Sequence, residues 1–182
     1  MPKLDIIIGP MFAGKSCEII RMVRLLKVCD KDYLIVKPKI DNRYSTNEIV
    51  SHNYDKEKCI ALTNLIDIYP YCKNTHDTIF IDEAQFFTDL KKQVLNLVEN
   101  LNYNVVITGL DGDSNRNKFG EVLDLIPYAD SCKKITALCQ ICKDGTPGIF
   151  SYRKSQDENQ ILIGAKDEYM AVCRKHYLNI NS

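Results

Sequence analysis

The chain has 182 residues, 45% of them hydrophobic, and its 24 Lys and Arg balance 24 Asp and Glu. That length holds one good core with a small appended module, and the balanced charge supplies no net field that would draw the protein to nucleic acid or acidic membranes. No window has the length and apolarity of a membrane span, and the N-terminus enters an apolar run with no signal-peptide pattern, so a cytoplasmic protein with no membrane or nucleic-acid partner is expected.

Leu4-Asp-Ile-Ile-Ile8 is a short β-branched run and reads as a buried parallel strand. Gly9-Pro10-Met11-Phe12-Ala13-Gly14-Lys15-Ser16 follows it and fits G-x-x-x-x-G-K-[ST]. Ile19, Ile20, Val23 and Leu26 then recur at helical spacing. Strand, glycine loop and helix in that order make a phosphate cradle. The glycines let backbone N–H groups curl around an anion, and the helix N-terminus adds its positive end. Lys15 is expected to reach the β- and γ-phosphates, and the Ser16 hydroxyl to ligate Mg²⁺. A glycine-rich turn with a solvated lysine is the bland alternative, and the flanking context disfavours it. The expected ligand is a nucleoside triphosphate.

Tyr33–Val36 reads as a second strand, ended by Lys37-Pro38, and residues 39–60 as a polar loop with room for an edge strand. Thr78–Ile81 is a third strand and runs directly into Asp82-Glu83. A strand tip ending in carboxylates is what a phosphate loop needs opposite it: Asp82 beside Mg²⁺, and Glu83 one residue on, able to take a proton from a nucleophile. Two capping carboxylates on a helix would look the same in isolation. By themselves these residues do not choose between water and a substrate hydroxyl as the nucleophile. Leu90, Val94, Leu97, Val98 and Leu101 lie on one helical face, Asn104–Thr108 is a fourth strand, and Lys134–Ala137 is a candidate fifth. Alternating strands and helices predict an α/β fold, an open parallel sheet with helices on both faces.

From Cys139 the pattern changes to short segments, paired cysteines, glycines and aromatics. The expected division is a phosphate-loop domain over 1–137, a metal-binding module over 138–178 and a tail over 179–182. Of the eight cysteines, Cys139-x-x-Cys142 and Cys173-x-x-His176 form two knuckles separated by 30 residues. Their donors suit tetrahedral Zn²⁺ with no open position, a structural site that would tie the two ends of a loop. Cys17, Cys29, Cys59, Cys72 and Cys132 have no such spacing and read as packed or idle thiols.

Taken together, the chain resembles the zinc-containing cellular and poxviral thymidine kinases. The likeness covers nearly all of it, through Gly9–Ser16, Asp41-Asn-Arg-Tyr44, Asp82–Phe87, Leu110–Gly112 with Phe119-Gly120, the two knuckles, Phe150–Arg153, and Ile163-Gly164 with Tyr169. The resemblance implies a RecA-like domain plus a small zinc module carrying a lasso-like loop, and transfer of the ATP γ-phosphate to the 5′-hydroxyl of thymidine. It assigns Glu83 as general base and Arg43 as an aid at the phosphates. Gly9, Met11, Phe12, Ala13, Gly14, Lys15, Ser16, Asp82 and Gln85 fall to the ATP side. Met11, Phe86, Leu110, Phe119, Ser151, Ile163, Gly164 and Tyr169 fall to the nucleoside side, with Met11 and Ser151 around the thymine methyl. It further implies a homotetramer and feedback inhibition by thymidine triphosphate. The lasso-like loop, closing over the nucleoside as a lid that excludes water, and Glu83 together favour a kinase over an ATPase. An ATPase with a nucleic-acid-binding zinc ribbon and a non-catalytic nucleotide sensor are the rivals.

The chain departs from the family pattern at Ser114, where phenylalanine is common, at Ser151, where threonine is, and at Ala165, where a second glycine is. Arg116 and Arg153 read as phosphate or module-interface contacts or as plain surface arginines. His52 and His76 read as surface loop residues.

Overall fold

The computed structural model describes residues 1–41, 47–50, 55–155, 160–161 and 167–180. Its order is β1 (Leu4–Ile8), α1 (Lys15–Val28), β2 (Asp32–Pro38), β3 (Glu48–Val50), β4 (Lys56–Lys58), β5 (Ile60–Leu62), a 3-10 segment Leu65–Tyr71, and β6 (His76–Ile81). A 3-10 turn Ala84–Phe86, α2 (Leu90–Leu95) with a π-helical continuation Asn96–Asn100, β7 (Asn104–Gly109), a 3-10 segment Val122–Tyr128 and β8 (Ser131–Lys134) follow. Then come β9 (Ala137–Leu138), β10 (Pro147–Gly148), β11 (Phe150–Arg153), β12 (Tyr169–Val172) and α3 (Arg174–Ile180).

Six strands make one sheet in the order β5-β2-β6-β7-β1-β8, every neighbouring pair parallel. Burial on both faces explains why β1, β2, β6 and β7, the four central strands, read as largely unbroken apolar runs. Leu4, Ile6, Ile8, Leu34, Val36, Ile79, Ile81, Val105 and Ile107 point to one face, packed with Phe87, Leu90, Val94, Leu97, Val122 and Leu125. Ile7, Ile35, Phe80 and Val106 point to the other, under Ile19, Ile20 and Val23 of α1. Both faces are dry, so alternation in polarity is lost while alternation in direction remains.

Three expectations need correction. The candidate strand Lys134–Ala137 lies earlier, as β8, which pairs with β1 from Asp5↔Ser131 to Ile8↔Lys134; Ala137 belongs instead to the small β9–β10 hairpin. All four β8 residues are exposed, so backbone pairing alone makes this edge strand and no hydrophobic period marks it. Leu101, assigned to the buried helical face, is exposed, because the helix widens to π geometry after Leu95 and the apolar phase drifts. His76 opens β6 with its side chain only 6% exposed; its Nδ1 accepts from the Lys73 N–H, and burial lowers its pKa. His52 lies outside the described residues.

Among the described residues, no helix is long and apolar enough to cross a membrane.

Candidate active site and metal centre

The phosphate loop leaves β1 at Gly9. A Cβ there would stand 2.3 Å from the Ile135 carbonyl oxygen, so the close approach of the chain after β8 requires glycine. Phe12 and Gly14 adopt positive φ, 65° and 86°, which turns the loop before α1 begins at Lys15. Lys15 is buried, and its ammonium donates to the carbonyls of Gly9 (3.2 Å) and Pro10 (2.8 Å), curled back over the loop it serves. Ala13 closes the turn through an N–H bond to the Pro10 carbonyl.

Opposite the loop, β6 continues its ladder through Asp82, whose N–H donates to the Val36 carbonyl. Asp82 is 3% exposed and accepts three hydrogen bonds: from Ser16 Oγ (2.8 Å), from the Glu83 N–H (2.9 Å) and from Thr108 Oγ1. Burial raises its pKa, the adjacent Glu83 carboxylate raises it further, and the Thr108 and Ser16 hydroxyls work the other way. Such a carboxylate pair is costly without a cation beside it, which is what a Mg²⁺-triphosphate supplies. Thr108 escaped the sequence reading. It lies on β7, the strand between β1 and β6, and only that strand order brings its hydroxyl to Asp82.

Glu83 is buried and takes left-handed backbone angles, φ 48° and ψ 42°. A non-glycine residue held there costs about 1–3 kcal/mol. The turn swings the chain off the carboxyl end of β6 into the 3-10 turn Ala84–Phe86. Gln85, expected on the ATP side, donates to Glu83 Oε2 at 2.6 Å and accepts from the Leu110 N–H at 3.1 Å.

Beside these groups lies an apolar cluster of Met11, Leu110, Phe119 and Tyr169, with Phe12 and Phe86 packed against it. Phe86 and Phe119 meet edge to face, ring centres 5.4 Å apart. Five residues expected on the nucleoside side are thus gathered from four separate stretches. A sixth, Ser151, is buried on β11, and its Oγ accepts the Met11 N–H at 2.9 Å. Arg43, Ile163, Gly164 and Ala165 lie outside the described residues.

The resemblance puts Ser151 at the thymine methyl; what the structure shows is Ser151 as the partner of a phosphate-loop N–H. Ser151→Ala is expected to leave that buried donor unpaired, costing about 1–3 kcal/mol. Thermal unfolding with and without ATP measures it: a loss of stability that ATP partly restores is the expected result, and an unchanged midpoint would contradict it.

Arg153 is buried rather than solvated. Its guanidinium donates to Tyr169 Oη at 2.9 and 3.2 Å and to the Gln160 carbonyl at 3.1 Å. The Gln160 amide in turn donates to Asp113 Oδ2 at 2.8 Å, which ties the chain between β11 and β12 to the turn after β7. Arg116 is exposed at that turn and lies over the Tyr177 ring, 4.6 Å from its centre. Of the three readings, the contact with Tyr177 of α3 fits a module-interface arginine. Tyr177 Oη donates to the Ser114 carbonyl at 2.6 Å, a main-chain contact indifferent to the side chain at that position.

The two knuckles converge. Cys139, Cys142, Cys173 and His176 bring one donor atom each within 4.8 Å of all the others. The His176 Nδ1 lies 3.6, 3.3 and 3.3 Å from the sulfurs of Cys139, Cys142 and Cys173, and Cys142 and Cys173 are 3.8 Å apart. Tetrahedral Zn²⁺ with Zn–S bonds of about 2.3 Å has sulfur–sulfur edges of about 3.8 Å. The donor set and its size therefore fit zinc, bound through Nδ1 of His176. Burial works to push the Cys139 thiol up, but the N–H groups of Cys142, Cys173 and Ile141, with His176, bring it down to about 6. Burial and the neighbouring thiols push Cys142 up to about 11. A first thiolate thus resists a second until a dication arrives. The remaining cysteines are all unbridged; Cys59 is buried, Cys17 and Cys72 half-buried, and Cys29 and Cys132 exposed.

A thymidine kinase family model matches residues 2–177. The chain belongs to the thymidine kinase family. It is 41% identical to a thymidine kinase of Oryza sativa subsp. japonica, 40% to thymidine kinase a of Arabidopsis thaliana and 38% to a thymidine kinase of Mycoplasma mobile. These matches cover 97%, 96% and 96% of the chain, which spans 66%, 74% and 86% of the three relatives. Membership makes it an ATP-dependent kinase, a phosphotransferase.

Proposed function

We propose that the chain transfers the γ-phosphate of ATP to the 5′-hydroxyl of thymidine, with Glu83 as general base. One observation carries this reading: Met11 belongs both to the phosphate loop and to the apolar cluster of Leu110, Phe119 and Tyr169. A triphosphate and an aromatic nucleoside bound at these two places meet at Met11, close to the carboxylates that follow β6.

In this reading Lys15 exchanges the Gly9 and Pro10 carbonyls for phosphate oxygens. Ser16 and Asp82 hold Mg²⁺, which neutralises charge on the phosphates. Gly9, Phe12, Ala13 and Gly14 supply the curved backbone around the phosphates, and Arg43 adds positive charge there. Glu83 accepts the 5′-hydroxyl proton as the oxygen attacks the γ-phosphorus, and ADP leaves in line. Phe86, Phe119 and Tyr169 wall the nucleoside, Ser151 and Met11 flank the thymine methyl, and main-chain groups around Ile163 and Gly164 bind the base. The ATP domain takes the residues through β8 and the zinc module those from β9 through α3, so Ala137, Asn179 and Ile180 go with the module. Zinc at Cys139, Cys142, Cys173 and His176 is structural, supported by the spacing of their donor atoms. Family likeness supports the homotetramer, the cytoplasmic location and the inhibition by thymidine triphosphate.

The test is a panel of common nucleosides with Mg-ATP, scored for the monophosphate. Thymidine is expected to be the best acceptor, with kcat/KM for deoxyuridine about tenfold lower, since one methyl group is worth about 1–3 kcal/mol. Equal turnover of the two would contradict a pocket that reads the methyl group. ATP consumption with DNA alone and none with thymidine would replace the kinase by an ATPase.

A further inference from the structure

Gln85 is nearly fully buried, 3% exposed, two residues beyond the proposed base. Its carboxamide is held at both ends. Oε1 accepts the Leu110 N–H and Nε2 donates to Glu83 Oε2. A main-chain donor on one side and a carboxylate on the other leave the amide a single orientation. Two glycines make room for it. A Cβ on Gly109 would stand 3.0 Å from Gln85 Oε1, and one on Gly120, where φ is 59°, 2.3 Å from the Gln85 carbonyl oxygen. Gly109 ends β7 just before Leu110, and Gly120 follows Phe119. Both flanking residues belong to the apolar cluster.

We propose that Gln85 is a positioning residue: its amide fixes the Glu83 carboxylate relative to the loop that walls the nucleoside, so that base and acceptor hydroxyl are set by one hydrogen-bonded unit. This rests on Glu83 being the base. The Glu83 backbone alone does not set its carboxylate, because the side chain has three further rotatable bonds. A short, charge-assisted hydrogen bond to one carboxylate oxygen removes most of that freedom. Through Leu110 the same amide is bonded to the nucleoside wall, so a shift of that wall is passed to the carboxylate. Gln85 itself touches no reacting atom in this scheme.

The test uses Gln85→Met and Gln85→Glu in the full-length zinc-loaded protein, each alone and combined with Glu83→Gln. Gln85→Met keeps the volume and removes both hydrogen bonds; Gln85→Glu keeps the shape and the acceptor for Leu110 but sets a carboxylate against Glu83. Each single variant is expected to lower kcat about 30- to 100-fold, the loss that accompanies a misplaced catalytic group, with KM for thymidine and for ATP changed less than about threefold. Combined with Glu83→Gln, neither is expected to lower kcat further, because the group it positions is already gone. An unchanged kcat overturns the proposal, and so does a rise in KM without loss of kcat, or a loss that adds fully to that of Glu83→Gln. If Gln85→Met does not fold, Gln85→Glu carries the same comparison. Glu83→Gln inactive beside fully active Gln85 variants would sink this proposal alone; Glu83→Gln fully active would sink the base itself.

Discussion

Glu83→Gln is expected to lower kcat for thymidine phosphorylation by about a hundred- to ten-thousandfold, the usual worth of a positioned general base. Thymidine and ATP should still bind, because the apolar cluster and the phosphate loop are untouched. The substitution is nearly isosteric at a buried site where Gln85 contacts one carboxylate oxygen, so the turn after β6 should survive it. Single-turnover phosphoryl transfer, with thymidine binding measured by calorimetry, separates the outcomes. Retained turnover would show that the hydroxyl proton leaves by another route and that Glu83 only shapes the turn. Lost binding together with lost turnover would point to a collapsed site rather than a missing base.

Cys173→Ser is expected to abolish stoichiometric zinc and to weaken thymidine binding more than about tenfold, with a smaller effect on ATP. Structural zinc supplies about 10–16 kcal/mol of folding free energy to small zinc-dependent modules, so losing a ligand removes most of what orders this one. Cys173 directly follows β12, which carries Tyr169 and pairs with β11 from Phe150↔Val172 to Arg153↔Tyr169. Disordering that pair releases Tyr169 from Arg153 and thereby one wall of the nucleoside cluster. The effect on ATP should be smaller but not zero, because β11 also holds the Met11 N–H through Ser151. Zinc content by metal analysis and the two dissociation constants are the measurements. Equal loss of both affinities with loss of helical signal would mean that module and phosphate loop fold as one unit, and that the lid has no separate role.

Much of the fold was legible because its decisive patterns are local. Leu4–Ile8 followed by the glycine loop and α1 requires only the order strand, turn, helix, and Ile19, Ile20 and Val23 are buried where their spacing puts them. Each misplaced element has a physical reason. β8 carries no hydrophobic period, since all its residues face solvent and main-chain bonds to β1 alone define it. Leu101 kept helical phase in the sequence and lost it in space at the π turn. His76 looked like a loop residue because its burial depends on how the start of β6 packs, a non-local matter.

The sequence by itself determined the phosphate loop, the paired carboxylates at a strand end, the four Cys and His donors that converge, and the parallel α/β sheet. In each, the chemistry is written within a few neighbouring residues or in a repeat of fixed period. Only the tertiary structure decided that Thr108 braces Asp82, that Gln85 links Glu83 to Leu110, that Arg153 is buried on Tyr169, and that Ser151 holds Met11 from 140 residues away. Those contacts join polar groups distant in the chain. Their partners are set by strand order and register, and by the need to pair every polar group that the core removes from water.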